Sequence, residues 1–153
     1  MSDGIKIIST NRKAQANYFL EERVEAGMVL TGTEVKSLRA GHVNLSDSYA
    51  VVKGDAVYLL NCHISAYEKG GVYNHDPIRT RKLLLHKSEI QKLWGKTETK
   101  GFTLVPTKIY FSKGRAKVEI ALAKGKKSFD KRETIKRREQ DREARRAVAQ
   151  WKK

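Results

Sequence analysis

From Ala116 onward the chain alternates: Val118, Ile120 and Leu122 take every second position, with Lys117, Glu119 and Ala121 between them. A period of two puts one set on a buried strand face and the other on a wet one. Thr103–Phe111 reads as the preceding strand, joined to it by Ser112-Lys113-Gly114-Arg115. Earlier, Tyr49–Lys53 and Ala56–Ile64 flank Gly54-Asp55, a two-residue hairpin signal. Tyr18–Leu30 and Arg79–His86 also read as strands. The first is interrupted near Ala26-Gly27, where glycine marks a bulge or bend. Helical spacing appears more briefly. Asn11–Ala16 makes one turn, and Thr33 caps a short helix holding Val35, Leu38 and Arg39 that stops at Gly41. Ser88, with Gln91 in capping-box position, starts a helix ending at Gly95, with Ile90, Leu93 and Trp94 on one face. Met1–Thr10 reads as a loose start, and Ser65–Ile78, rich in Gly, Asn, Asp and Pro, as a long loop.

These elements make about six strands, mostly hairpin-linked, with one helix before the final pair. A mainly β fold follows, and closing it into a small antiparallel barrel would remove exposed edges. The interposed helix favours an OB-like barrel with short flanking helices; a split β-sandwich is the alternative. Residues 1–123 form one domain. Lys124–Lys153 is a basic tail whose only large apolar residues are Phe129, Ile135, Val148 and Trp151. Asp130 and Glu133 have capping-box spacing, and Glu133–Arg137 and Asp141–Arg145 are i,i+4 pairs. Ala144, Ala147, Val148 and Trp151 share a helical face, with Ile135 roughly opposite. The tail is therefore expected to be disordered alone and helical on a partner, held there by charge and not by packing onto the barrel.

Charge narrows the partner. The chain of 153 residues carries a formal +15, and its tail holds thirteen Lys and Arg against five Asp and Glu. Such an excess attracts a polyanion, and attraction to phosphate weakens steeply with salt. A membrane surface is the competing polyanion. No apolar run approaches the roughly 20 residues of a spanning helix, however, and no signal sequence opens the chain. The lone Cys62 supplies neither a disulfide framework nor a CxxC pair, so a soluble cytoplasmic protein is expected. Arg79-Thr80-Arg81-Lys82, and Lys36 with Arg39, could grip phosphates while Tyr67 and Tyr73 stack on exposed bases. A lysine-rich solubilising surface is the plainer reading of the same residues, and composition does not choose RNA over DNA.

Catalytic signatures are missing. His42, His63, His75 and His86 lack metal-ligand spacing, and no GxSxG, P-loop or HExxH occurs. Glu21, Glu22 and Glu25 are carboxylates that a metal-dependent nuclease could use; solvated strand positions account for them more simply. No catalytic residue, metal site or cofactor is expected, and the chain reads as a binding protein.

Longer motifs are more specific. Gly32–Gly41 (GTEVKSLRAG), Asn44–Tyr49 (NLSDSY) and Asp76–Leu85 (DPIRTRKLLL) resemble the signature of the SmpB family, protein partners of transfer-messenger RNA (tmRNA). Ala123–Lys127, followed by Asp130-Lys131-Arg132, is similar to that family's junction between barrel and tail. Order and spacing match from about Asn11 into the tail. The resemblance implies an OB-fold barrel with a tail that becomes helical on the ribosome. It also implies trans-translation, the rescue of ribosomes stalled on messages lacking a stop codon. In that family the barrel holds the tRNA-like domain of tmRNA, and the pair enters the vacant small-subunit decoding site with elongation factor Tu. The protein stands in for the missing anticodon arm and codon, and its tail enters the empty message channel. A monomer is expected.

The same resemblance assigns residues. Glu25, Leu84 and Lys117 match positions tied to RNA binding, Lys36 and Arg39 match the motif helix, and Asn11 and Arg12 match the N-terminal contact segment. Arg79, Arg81 and Lys82 fall within the third motif. Lys126 and Lys127 belong to the junction, and Asp130, Lys131 and Arg132 match the tail motif that engages ribosomal RNA. Two departures are visible: Ala16-Asn17 stands before Tyr18 where many members carry His and an acidic residue, and Phe129 precedes Asp130. A general OB-fold RNA-binding ribosomal or translation factor is the competing reading.

Overall fold

The computed structural model of the chain describes residues 5–125 and 139–148, apart from the side chains of Tyr73 and Thr99. In chain order the elements are β1 (Ile5–Thr10), α1 (Arg12–Asn17), β2 (Tyr18–Met28), α2 (Gly32–Arg39), β3 (Val43–Asn44), β4 (Tyr49–Lys53) and β5 (Ala56–Leu60). There follow β6 (His63–Ile64), β7 (Arg81–Leu84), α3 (Lys87–Thr99), β8 (Thr103–Ser112) and β9 (Arg115–Gly125). A last helix, α4, covers residues 139–148.

Six strands close into a ring in the order β8-β4-β5-β7-β2-β9, with β9 paired back to β8. This is the expected OB-like antiparallel barrel. Closure needs bent strands, and β2 and β8 both carry a register shift, between Leu20 and Arg23 and between Pro106 and Lys108. Pro106 has no amide hydrogen to give to a ladder, so an irregular position suits it. The interior is a single apolar cluster: Val52, Val57, Leu59, Leu83, Leu104, Ile109, Val118, Ile120 and Leu122 from the strands, with Leu38 of α2 and Ile90 and Leu93 of α3. Each fully buried side chain of this size contributes about 1.5–3 kcal/mol.

Several expectations are corrected. Residues 5–10 are not loose: they form β1, paired with the far half of β8 from Lys108 to Ser112. The bend in β2 lies near Leu20–Arg23, and β2 runs through Gly27, which pairs with Lys117 on one side and Leu84 on the other. The cap of α2 is Thr31, whose hydroxyl takes the Glu34 amide while the Glu34 carboxylate takes the Thr31 amide. In α3 the corresponding partner is Glu89, which accepts from the His86 amide, and Trp94 is 45% exposed instead of sharing the buried face of Ile90 and Leu93. That helix also runs past Gly95 to Thr99, and its stop is Gly101, at φ 71. A stop residue needs the left-handed conformation that glycine tolerates, which Gly41 supplies after α2 at φ 79. The second hairpin arm breaks at Asn61, at φ 56, so β6 leaves the barrel and pairs with β3.

Candidate nucleic-acid interface

β2, β7 and β9 bring three of the expected residues onto one outer face. Gly27 of β2 pairs with Lys117 of β9 and with Leu84 of β7, so the three positions lie side by side. Glu25, two residues back on the same face, is diagonal to Lys117, within reach of a long side chain. Lys117 Nζ lies 3.2 Å from Glu25 Oε1. Tyr110 of β8, opposite Lys117 in the ladder, donates its hydroxyl hydrogen to Glu25 Oε2. The Tyr110 hydrogen bond is the largest influence on the Glu25 carboxyl; burial opposes it, and with Lys117 adding to the Tyr110 bond the carboxyl is held below the usual range. Leu84 is 55% exposed, with its Cβ 3.4 Å from where a side chain on Gly27 would begin.

A groove of about 410 Å³ runs beside this face, lined by Gly27, Leu84, Arg115, Lys117 and Val35 of α2. Arg39 stands one helical turn beyond Val35, on the same side of α2. Lys36 and Arg39 are both exposed, and Lys36 Nζ sits 5.4 Å from the centre of the Tyr67 ring. The expected contacts Glu25, Lys117 and Leu84 therefore share one face, continued by the groove to Val35 of α2, one turn from Arg39. Arg12 on α1 and Lys82 on β7 are also exposed. The tail positions Lys126, Lys127, Asp130, Lys131 and Arg132, the proposed capping box at Asp130 and Glu133, and the ring of Tyr73 lie outside the described residues.

Three expected contacts carry structural bonds. Arg81 is fully buried: Nε is 2.5 Å from Glu34 Oε2, and Nη1 and Nη2 donate to the carbonyls of Cys62 and Pro77. Its charge is committed, and it has no surface to offer a phosphate. Arg79 spends its guanidinium on the other side of Glu34, at 2.7 Å, and on the Val29 carbonyl. Together these two arginines tie the strand after the long loop to α2. Asn11 is 3% exposed and caps α1, accepting from the Ala14 amide and donating to the carbonyls of Leu45 and Pro106. Its side chain shapes the N-terminal segment. The clustered carboxylates do not converge either, since Glu22 pairs with Lys92 and Lys96 of α3. Among the described residues no group of three His, Cys, Asp or Glu is placed to hold a metal ion. No described helix is long and apolar enough to cross a membrane.

The opposite side of the barrel is covered by α4. In the six-membered ring β4 stands across from β2, and β5 across from β9. Ala144 and Val148 are buried against Val51, Ala56, Tyr58 and Leu60 of β4 and β5. Arg145 pairs with Glu98 of α3 at 2.5 Å and lies 5.7 Å from the Trp94 ring centre. Burial, with Asp141 and Glu143 nearby, pushes the Tyr49 hydroxyl up to about 12. Residues 139–148 of the tail are helical without a partner, packed onto the barrel by a small apolar stripe. For these residues that corrects the expectation of a tail disordered alone and held on a partner by charge, not by packing onto the barrel.

Comparison with known proteins bears directly on this arrangement. The family described as SmpB protein matches residues 8–150. An SsrA-binding protein of Caldicellulosiruptor saccharolyticus is 58% identical over 149 residues, covering 97% of this chain and 94% of the relative. One of Halalkalibacterium halodurans is 59% identical over 143 residues, covering 94% and 93%. A chain of the solved structure described as "tmRNA-SmpB: a journey to the center of the bacterial ribosome" superposes with a TM-score of 0.68 at 53% identity, over 80% of this chain and 87% of that one.

Proposed function

The chain belongs to the SmpB family, and on that premise we propose a division of labour between its barrel and its tail. It is a tmRNA-binding protein of trans-translation. The barrel face formed by β2, β7 and β9 takes the tRNA-like domain of tmRNA. The basic tail reads the small-subunit decoding site and enters the empty message channel.

One observation carries this reading: Glu25, Leu84 and Lys117 meet on a single outer face, with Val35 lining the adjoining groove and Arg39 a turn beyond it. Cations attract any phosphate backbone. A carboxylate repels phosphate, so its presence among them favours recognition of a ribose hydroxyl or a base amino group. Exposed Leu84 gives an unstacked base an apolar surface. The protein acts as a cytoplasmic monomer, delivers tmRNA in company with elongation factor Tu, and stands in for the missing anticodon arm without catalysing a reaction itself.

Competition between tmRNA and bulk tRNA for the purified protein tests the reading. A strong preference for tmRNA is expected. Equal affinity for both would favour a general RNA-binding translation factor.

A further inference from the structure

We propose that Tyr110 is a positioning residue for RNA discrimination: its hydroxyl fixes the Glu25 carboxylate as a hydrogen-bond acceptor facing the bound RNA. This rests on the reading that Glu25 contacts RNA. Nothing in the sequence motifs singles out Tyr110.

The geometry comes first. Glu25 is on an exposed strand face, and its side chain is 50% exposed. A free glutamate there would sample many rotamers and would be a poor reader of any particular donor. Here both oxygens are tied. Oε2 accepts from the Tyr110 hydroxyl, and Oε1 forms an ion pair with Lys117 Nζ at 3.2 Å. A carboxylate has about four acceptor sites, so two remain after these bonds.

Tyr110 is itself rigid, only 5% exposed, paired in the ladders with Ile7 of β1 and Lys117 of β9, with Lys108 Nζ 5.6 Å from its ring centre. Burial, followed by the Glu25 bond, pushes its hydroxyl well above the ordinary range, so it stays a donor at every physiological pH. The bond also keeps Glu25 ionised. An ionised, oriented carboxylate rejects misplaced phosphates and rewards a correctly placed hydroxyl or amino hydrogen, which is discrimination more than affinity.

The test uses the full chain. Affinities for tmRNA and for bulk tRNA are measured for the native protein, Tyr110→Phe, Glu25→Gln and the double variant, and the Glu25 carboxyl is titrated by carbon NMR. Tyr110→Phe should cut the preference for tmRNA about three- to tenfold, mainly by weakening tmRNA binding, and should move the Glu25 midpoint upwards. In the Glu25→Gln background the same change should cost little more. If Glu25→Gln lowers the preference but Tyr110→Phe moves neither it nor the midpoint, the positioning role is wrong and the RNA role of Glu25 stands. If Glu25→Gln itself changes nothing, the assignment of the RNA face fails instead. Should Tyr110→Phe not fold, the native titration decides: a Glu25 midpoint at or above the ordinary glutamate value overturns the proposal.

Discussion

Arg81 Nε lies 2.5 Å from Glu34 Oε2, and both side chains are fully buried. The contact joins α2 to β7 across 47 residues of sequence. A buried charge left without its partner costs about 3–5 kcal/mol. Arg81→Met is therefore expected to destabilise the barrel by about that amount, and Glu34→Gln somewhat less, because the amide can still accept from the Thr31 backbone. Urea unfolding of each variant measures the loss. A midpoint unchanged in both would remove the structural role given to the pair.

The same pair sets a pH dependence. Burial pushes the Glu34 carboxyl up, but the hydrogen bond from Arg79, the Thr31 amide and Arg81 together outweigh it, and the carboxyl sits below its ordinary value. A depressed folded value contributes stability that is fully present above the unfolded value of about 4.3. That contribution disappears as the pH falls through the folded value. The urea midpoint of the native protein should fall more steeply between pH 5 and pH 3 than that of Glu34→Gln, and parallel curves would contradict the assignment.

Asn11→Ala separates shape from contact. The side chain caps α1 and satisfies the Pro106 carbonyl at 2.9 Å, so its loss is expected to cost about 1–3 kcal/mol. Because Asn11 is buried, tmRNA affinity of the folded variant should stay within about twofold. A large loss of affinity without a loss of stability would place Asn11 in the interface after all.

The hairpins β4–β5 and β8–β9 were readable because alternation and turn residues are local signals. What escaped was long-range. Arg81 sits in a basic tetrad that looks like surface, and nothing near it announces that Glu34 will bury it. β1 was missed because Ile5 and Ile7 remain 45% and 55% exposed, and the strand exists through pairing with β8, about a hundred residues away. The shared face of Glu25, Leu84 and Lys117 was nameable from family motifs, but its third dimension was not. Tyr110 joins it only because β8 and β9 pair in one register. The docking of α4 was hidden by scale, since Ala144 and Val148 make too small a stripe to promise a partner.

Salt dependence distinguishes phosphate contacts from structural cations. Arg39→Glu should weaken tmRNA binding at low salt and make the slope of log affinity against log salt shallower by about 1, as expected for one lost phosphate contact. Filter binding across a salt series gives the slope. An unaltered slope for Arg39→Glu would take α2 out of the proposed interface.

The barrel and the tail should also separate experimentally. Truncation after Lys124 removes only Gly125 from the described end of β9; it costs the β2–β9 ladder its terminal Tyr18–Gly125 pair and leaves the closing β8–β9 ladder intact. The proposed RNA face lies across the ring from the surface that α4 covers. The truncated protein is therefore expected to bind tmRNA within about threefold of the full chain, apart from a shallower salt slope for the cations removed, while tagging of peptides on stalled ribosomes is abolished. Val148→Asp offers a milder probe. It places a charge at a fully buried position against Tyr58 and Leu60, and should release α4 from the barrel without disturbing the β2 face. Hydrogen exchange would then show residues 139–148 losing protection while tmRNA affinity holds. Loss of tmRNA binding in the truncated protein would mean that the tail belongs to the RNA site, and the division of labour would fall.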